Sequence, residues 1–291
     1  MKQKQYWLPV KLMSYSAMSL FQGCPRRYAF RYIDKIPADW QGTGAMDRGT
    51  AFHALVEHDG AMPEGLPELN PFDTAKVKSG FRKYKEYQAA GHLPEMEVGE
   101  LKLVDEERQF IGYVDRHAIL KNGAWRLGEM KTSERFDPMQ WQLYPVNPQI
   151  ALYAEMAQKW ANANLLSNDD FLGFSVQKVI FSAKRPGKAR KSKAAESPEA
   201  FAERIREDTR IFVQNVTPSE VVRAEALLTF EHVKESVDHL GSSSSRYPKN
   251  IGNCMNFGRI CEFAAHCHGA AFSEGQESLL DVDMTDTEGL E

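Results

Sequence analysis

Asp115 lies in Gly112-Tyr-Val-Asp-Arg116, and Glu129-Met-Lys131 follows in Gly-Glu-Met-Lys-Thr. Two carboxylates and an amine on what read as neighbouring strands could hold a hard divalent cation and manage a water molecule, the equipment for metal-assisted phosphodiester hydrolysis. Strand side chains alternate faces, so Glu129 and Lys131 point one way and Met130 the other. Glu-x-Lys by itself turns up on the order of once in a chain of this size and usually marks a solvated face. An Asp inside a strand is more telling, because it is disfavoured there and needs a partner or an ion.

The elements that must position these residues can be read from periodicity. Residues 14–33 read as a helix opening at Ser14 or Ser16, broken or kinked beside Cys24 by Pro25. Helices follow over 45–58 and about 74–90, then strands at 98–103, 110–120 and 124–132, the last two joined by the tight turn Lys121-Asn-Gly123. Asn147-Pro148 reads as N-cap and first residue of a helix whose apolar stripe runs Ile150, Tyr153, Ala154, Ala157, Trp160 and Ala161. A strand spans 173–183, and Ser197-Pro198 and Thr217-Pro218 open two more helices, the second with a Thr217-x-x-Glu220 capping box. The central order is helix, three strands, helix, strand, an α/β arrangement. One domain is expected over 1–273, with its core at 45–183, and no internal repeat is visible.

Composition sets the frame. The chain has 291 residues, 42% hydrophobic and 26% charged, as in ordinary soluble proteins. No apolar run spans a membrane and no apolar segment follows the basic N-terminus, so an intracellular, cytoplasmic protein without a membrane partner is expected. The net charge of −4 conceals an asymmetry: residues 274–291 carry seven acids and no Lys or Arg, and without them the balance is +3. That acidic tail is expected to be disordered. Lys184-Arg-Pro-Gly-Lys-Ala-Arg-Lys-Ser-Lys193 is a basic loop; Lys184, Arg185, Lys188, Arg190 and Lys191 are candidates for phosphate contact, although such loops are often merely solvated.

The order αβββαβ, with Asp on the second strand and Glu-x-Lys on the third, resembles the PD-(D/E)XK nuclease core: a mixed central sheet flanked by helices. Gly49-Thr-Ala-Phe-His53 on the helix before the strands, Gly112-x-x-Asp115-Arg116, Glu129-x-Lys131 and Gln149-Ile-Ala-Leu-Tyr153 resemble, in order, the motifs of its RecB-like branch. The resemblance runs from about residue 14 to 268. It implies that Asp115, Glu129, His53 and the backbone carbonyl of Met130 hold Mg²⁺ or Mn²⁺, the imidazole favouring Mn²⁺. It implies that Lys131 assists the attacking water, with a pKa lowered by the metal, and that Gln149 and Tyr153, one helix turn apart, contact the scissile strand. Arg116 is expected to neutralise a phosphate or brace a carboxylate. Whether Glu97 or Glu100 joins the metal shell is left open.

The only four cysteines are Cys24, Cys254, Cys261 and Cys267. Disulfides are not expected in an intracellular chain, and four thiolates can hold a Zn²⁺ ion or a 4Fe–4S cluster. One N-terminal cysteine before a proline and three near the C-terminus resemble the iron staple of AddB-type and CRISPR-associated RecB-like nucleases, with a wider Cys254–Cys261 gap than is commonest there. A 4Fe–4S cluster is therefore expected, with zinc as the alternative, joining segments 14–33 and 250–268. The resulting expectation is a metal-dependent DNA exonuclease acting on single strands or duplex ends in recombination, repair or DNA processing. The rivals are an endonuclease or RNA-directed nuclease with the same site, and a catalytically silent DNA-end-binding scaffold. No Gly-x4-Gly-Lys-Ser/Thr loop is present, so ATP-driven unwinding would need a helicase or recombination partner.

Overall fold

The computed structural model describes residues 12–37, 44–94, 96–188, 195–256 and 259–268. They fall into two compact units: Gly42–Glu231, and Met1–Gln41 with His232–Glu291. The acidic tail, Arg190 and Lys191 lie outside the described residues. Among the described residues no helix is long and apolar enough to cross a membrane.

In the first segment, α1 (Tyr15–Gly23) is capped by Ser14, whose Oγ accepts from the Ala17 amide at 3.2 Å. Cys24 is extended, and Pro25 starts a second short helix, α2 (Pro25–Tyr28), which continues as a π-helical turn over Ala29–Ile33. The expected break at Pro25 arises because the ring can begin a helix but cannot continue one.

The larger unit opens with α3 (Gly44–Glu57) and α4 (Pro71–Ala89). The latter starts earlier than the periodicity suggests, because Asn70 accepts from both the Phe72 and Asp73 amides and Pro71 takes the first position. Strands β1 (Glu97–Asp105), β2 (Phe110–Ile119) and β3 (Trp125–Ser133) form an antiparallel meander. A short helix α5 (Pro138–Gln142) and the long α6 (Pro148–Ala163) carry the chain across to β4 (Phe171–Ile180), which pairs with β3 in parallel. After α7 (Pro198–Arg204), β5 (Arg210–Val216) adds an antiparallel edge, giving a mixed five-stranded sheet in the order β1-β2-β3-β4-β5.

Two departures from the sequence reading stand out. The strand β5 was not anticipated, although its burial alternates in part, with Ile211 and Val216 turned in. The helix after it, α8 (Glu220–Leu240), is capped by Ser219, whose Oγ accepts from the Val222 amide at 3.3 Å, and not by Thr217. The chain ends with the two-residue strands β6 (Met255–Asn256) and β7 (Arg259–Ile260), and α9 (Ala264–His268).

Each sheet face meets its own helices because β3 alternates. Met130 joins Phe52, Leu55, Tyr84, Val179 and Phe181 in a core cluster with α3 and α4. On the other side α6 buries Ile150, Tyr153, Ala154 and Ala157, and Trp160 meets Trp125 edge-on at 5.7 Å. Full burial of each large apolar side chain contributes about 1.5–3 kcal/mol relative to exposure, so both helix layers are held firmly against the strands that carry the candidate site.

Candidate active site

The site begins where the sheet is irregular. β1 pairs Val98 with Arg116 and Leu101 with Val114, so Gly99 and Glu100 together stand against the single residue Asp115. This bulge relies on Gly99, whose φ of +130° few side-chain-bearing residues adopt. The β2–β3 pairing runs up to Arg116 and Gly128, and the next positions along the two strands are Asp115 and Glu129. Beyond that point a side chain takes the place of a backbone partner: the Met130 amide donates to Asp115 Oδ2 at 2.6 Å.

His53 reaches the other oxygen of the same carboxylate, its Nδ1 standing 3.4 Å from Asp115 Oδ1. Helix α3 is fixed for this by wholly buried Phe52 and, one turn earlier on the same face, by the ion pair of Arg48 with Asp73 at 2.6 Å. Glu129, 4% exposed, is ion-paired with Lys131. Lys131 Nζ also donates to Gln149 Oε1 at 3.3 Å. Gln149 sits at the start of α6, where Asn147 Oδ1 accepts from the Gln149 and Ile150 amides at 2.9 and 3.2 Å. Tyr153 lies a turn later on the same helix; burial raises its hydroxyl, and the neighbouring Gln149 side chain and Tyr113 backbone oppose that shift. The structure thus brings His53, Asp115, Glu129, Lys131, Gln149 and Tyr153 into one connected set.

The electrostatics follow from burial and crowding. Burial, aided by Asp115, pushes Glu129 up to about 7 even though Lys131 and His53 oppose the shift. Burial would also raise Asp115, but the imidazole of His53, the Met130 amide and Lys131 hold it below the usual carboxylate range. Burial would lower Lys131; the carboxylates of Glu129 and Asp115 outweigh this and raise it. His53 is likewise raised by Asp115 against its own desolvation. A buried carboxylate whose ionisation is opposed by burial and by a second carboxylate marks a site short of positive charge.

Among the described residues no three His, Cys, Asp or Glu side chains are grouped so as to hold a metal ion as they stand. The donor chemistry nevertheless suits a hard dication: oxygen donors from Asp115 and Glu129, one imidazole, and a carboxylate whose ionisation a cation would favour. A recess of about 80 Å³ opens beside them, lined by His53, Glu57, Gly99, Glu100, Asp115 and Met130 among others. Glu57 was not singled out in the sequence. Glu100 was left open there, and the bulge at Gly99 is what turns it to this recess; an isolated glycine within a strand was the available signal.

Arg116 lines the same recess. It is 5% exposed, and its Nη1 donates to Tyr84 Oη at 2.6 Å; Tyr84 donates in turn to Gln177 Oε1 at 3.0 Å. It therefore braces β2 against α4 and β4. Lys184 is ion-paired with Asp208 at 2.9 Å, and Arg185 gives its carbonyl to Arg204, so the start of the basic loop is tied to neighbouring residues.

A second chemical centre lies in the other unit. Cys24, Cys254, Cys261 and Cys267 all line one cavity, with Arg26, Arg27, Lys249 and His268 around them. None forms a disulfide. The Asn250 amide points to Cys24 Sγ at 3.5 Å, the Cys261 amide donates to the Cys254 carbonyl at 2.8 Å, and Cys254 Sγ lies 3.4 Å from His268 Nε2. Burial raises the thiols of Cys254 and Cys261, with Cys24 adding to both. Among the described residues these four thiols are not grouped so as to hold a metal ion as they stand, although sulfur is the donor type that a thiolate-bound centre would use.

The model of the PD-(D/E)XK nuclease superfamily matches residues 12–268. The chain belongs to that superfamily. No curated protein matches it in sequence. Among solved structures, a crystal structure named as that of a putative exonuclease from Eubacterium rectale is similar, with 12% identity, a TM-score of 0.48, and coverage of 81% of this chain and 84% of the other. The five-stranded mixed sheet flanked by helices is the superfamily's fold.

Proposed function

We propose that this nuclease is a RecB-like, divalent-metal-dependent DNA exonuclease, acting on single strands or duplex ends in recombination, repair or DNA processing. The observation that carries the reading is the linked set at the end of the β2–β3 pairing: Asp115 fixed by the Met130 amide and flanked by His53, next to the buried Glu129–Lys131 pair. Asp115, Glu129, His53 and the Met130 carbonyl would hold Mg²⁺ or Mn²⁺. That ion, when bound, supplies Lewis acidity toward a phosphoryl oxygen and a water activated at neutral pH.

The chain's own residues do the remaining work. Lys131, aimed by Gln149 and held as an ammonium by Glu129 and Asp115, would orient the attacking water in line with the leaving oxygen. Tyr153 positions Gln149, and so acts through it. Asp115 keeps its charge because the His53 imidazole, the Met130 amide and the nearby charge of Lys131 favour the ionised form. The four cysteines would carry a 4Fe–4S cluster, with Zn²⁺ the alternative; their thiolates would supply its ligands and a folding role for their own unit. A helicase or recombination partner would supply any unwinding.

The test is a panel of end-labelled linear single-stranded, linear duplex and circular single-stranded DNA, with Mn²⁺, Mg²⁺ or EDTA. Metal-dependent loss of linear but not circular DNA is the expected result. Cutting of circles would establish an endonuclease, and binding without cleavage a scaffold.

A further inference from the structure

The connection between β3 and α6 has a surface unlike that of an ordinary solvated loop. It leaves the sheet just after Lys131 and rejoins the fold at Gln149, and Lys131 Nζ donates to Gln149 Oε1 at 3.3 Å. Both ends therefore belong to the candidate site. Between them Met139, Leu143 and Val146 are 73%, 53% and 50% exposed. Single exposed apolar residues are common; three on one short connection are not.

The same connection carries an aromatic layer. Phe136 stacks on Phe212 of β5 with ring centres 4.1 Å apart, and Trp141 meets Phe136, Phe212 and Tyr144 at 5.9, 6.1 and 5.4 Å. Asp137 caps α5 by accepting from the Met139 and Gln140 amides. Lys178, which pairs with Lys131 in the β3–β4 ladder, donates to Gln140 Oε1 at 2.9 Å and holds the helix from below. The ridge is thus rigid and locked to the strand that carries Lys131. The Arg210 guanidinium lies 6.0 Å from the Phe212 ring centre, and Arg135 is exposed where the connection begins.

We infer that this ridge, with Met139 and Leu143 at its crest, is a platform for unpaired nucleobases of the strand being cut. The inference rests on the nuclease reading, which requires a phosphate beside Lys131 and Glu129. The ridge adjoins that phosphate position through the connection itself, since Lys178, the β4 partner of Lys131, holds Gln140 of α5. Apolar and aromatic surface takes any base face without regard to sequence, while cations at the margin suit the backbone. In a duplex the base faces are already stacked on one another and cannot be offered to the ridge. The ridge therefore favours single strands and frayed ends over paired DNA.

The experiment uses the full chain and fluorescence anisotropy of a labelled single-stranded 20-mer, without divalent metal. Compared are wild type and the Met139→Ser/Leu143→Ser double variant, on a normal oligonucleotide and on one with abasic sites in place of its bases. Both residues are exposed, so the variant is expected to fold; circular dichroism checks this. Wild type should bind the normal strand about 10-fold more tightly than the variant does, and the abasic strand should bind the two proteins alike. Equal binding of the normal strand by both proteins would overturn the inference and leave the ridge as a protein-docking surface. Equal binding of abasic and normal strands by wild type would overturn it too. If binding depends on the ridge but the cleavage panel shows no hydrolysis, the nuclease reading fails and the platform stands.

Discussion

Asp115 and Met130 are joined by a hydrogen bond in which a carboxylate replaces a strand carbonyl: the Met130 amide donates to Asp115 Oδ2 at 2.6 Å, while Oδ1 faces His53. One oxygen is thereby committed to holding the strands together and the other is left for chemistry. The two roles can be separated. In Asp115→Asn the side-chain carbonyl can still accept from Met130, so stability should fall little although metal binding and cleavage are lost. In Asp115→Ala the buried amide loses its acceptor, at a further cost of about 1–3 kcal/mol. Denaturant melts of the two variants check this; equal stability would show that the bond has no structural weight.

Gly112 begins the motif that ends at Asp115, and its role is steric. A Cβ there would stand 2.8 Å from the rings of both Phe110 and Tyr153. Gly112→Ala should therefore destabilise the protein by about 1–3 kcal/mol. By moving Tyr153 away from Gln149 it should also lower kcat, by up to about 100-fold if Lys131 loses its aim. Single-turnover cleavage beside a thermal melt measures both.

Asp105 gives the stability of the larger unit a pH dependence. Its buried carboxylate is ion-paired with Lys159 at 2.6 Å and Arg108 at 2.9 Å. Burial pushes its pKa up, but Lys159 and then Arg108 outweigh this and hold it below the usual range. A depressed folded-state value contributes stability that is fully present above the unfolded carboxylate pKa, about 3.9, and is lost as pH falls through the folded value. Urea melts of wild type and Asp105→Asn should differ most at neutral pH and converge below about pH 4. A gap that stayed constant across that range would contradict the assignment.

Cys261 tests the second centre. Its ligation would be part of the folding free energy of its unit, so Cys261→Ala should give colourless, aggregation-prone protein where anaerobically purified wild type is brown. Soluble, brown, active Cys261→Ala protein would overturn the cluster. Colourless wild type containing zinc would assign the alternative.

Much of this site was legible because its signals are local. Asn147-Pro148 announced α6 and so set Gln149 and Tyr153 on one face; alternation in β3 set Glu129 and Lys131 together and Met130 opposite. What escaped was non-local. The hydrogen bond of Arg116 to Tyr84, 32 positions earlier in the chain on α4, had no local signal. Strand β5 was missed because it is an edge: Phe212 and Val213 are only half-buried or exposed, which blurs the apolar alternation. The Thr217 capping box lost to Ser219, two residues further on and immediately before the helix, whose hydroxyl accepts from the Val222 amide. The α5 connection carried no periodicity at all, and its meaning rests on the stack of Phe136 on Phe212 across the sheet.

The central claim is that Asp115, Glu129 and Lys131 form a metal-dependent hydrolytic site. Its most direct test is the single-turnover rate on linear single-stranded DNA with Mn²⁺, for wild type, Glu129→Ala and Lys131→Ala, each shown by its thermal melt to be folded. The account expects cleavage that EDTA abolishes, a fall of about 10²–10⁴-fold for Lys131→Ala, and at least as large a loss for Glu129→Ala. Folded variants that cleave as fast as wild type would contradict it.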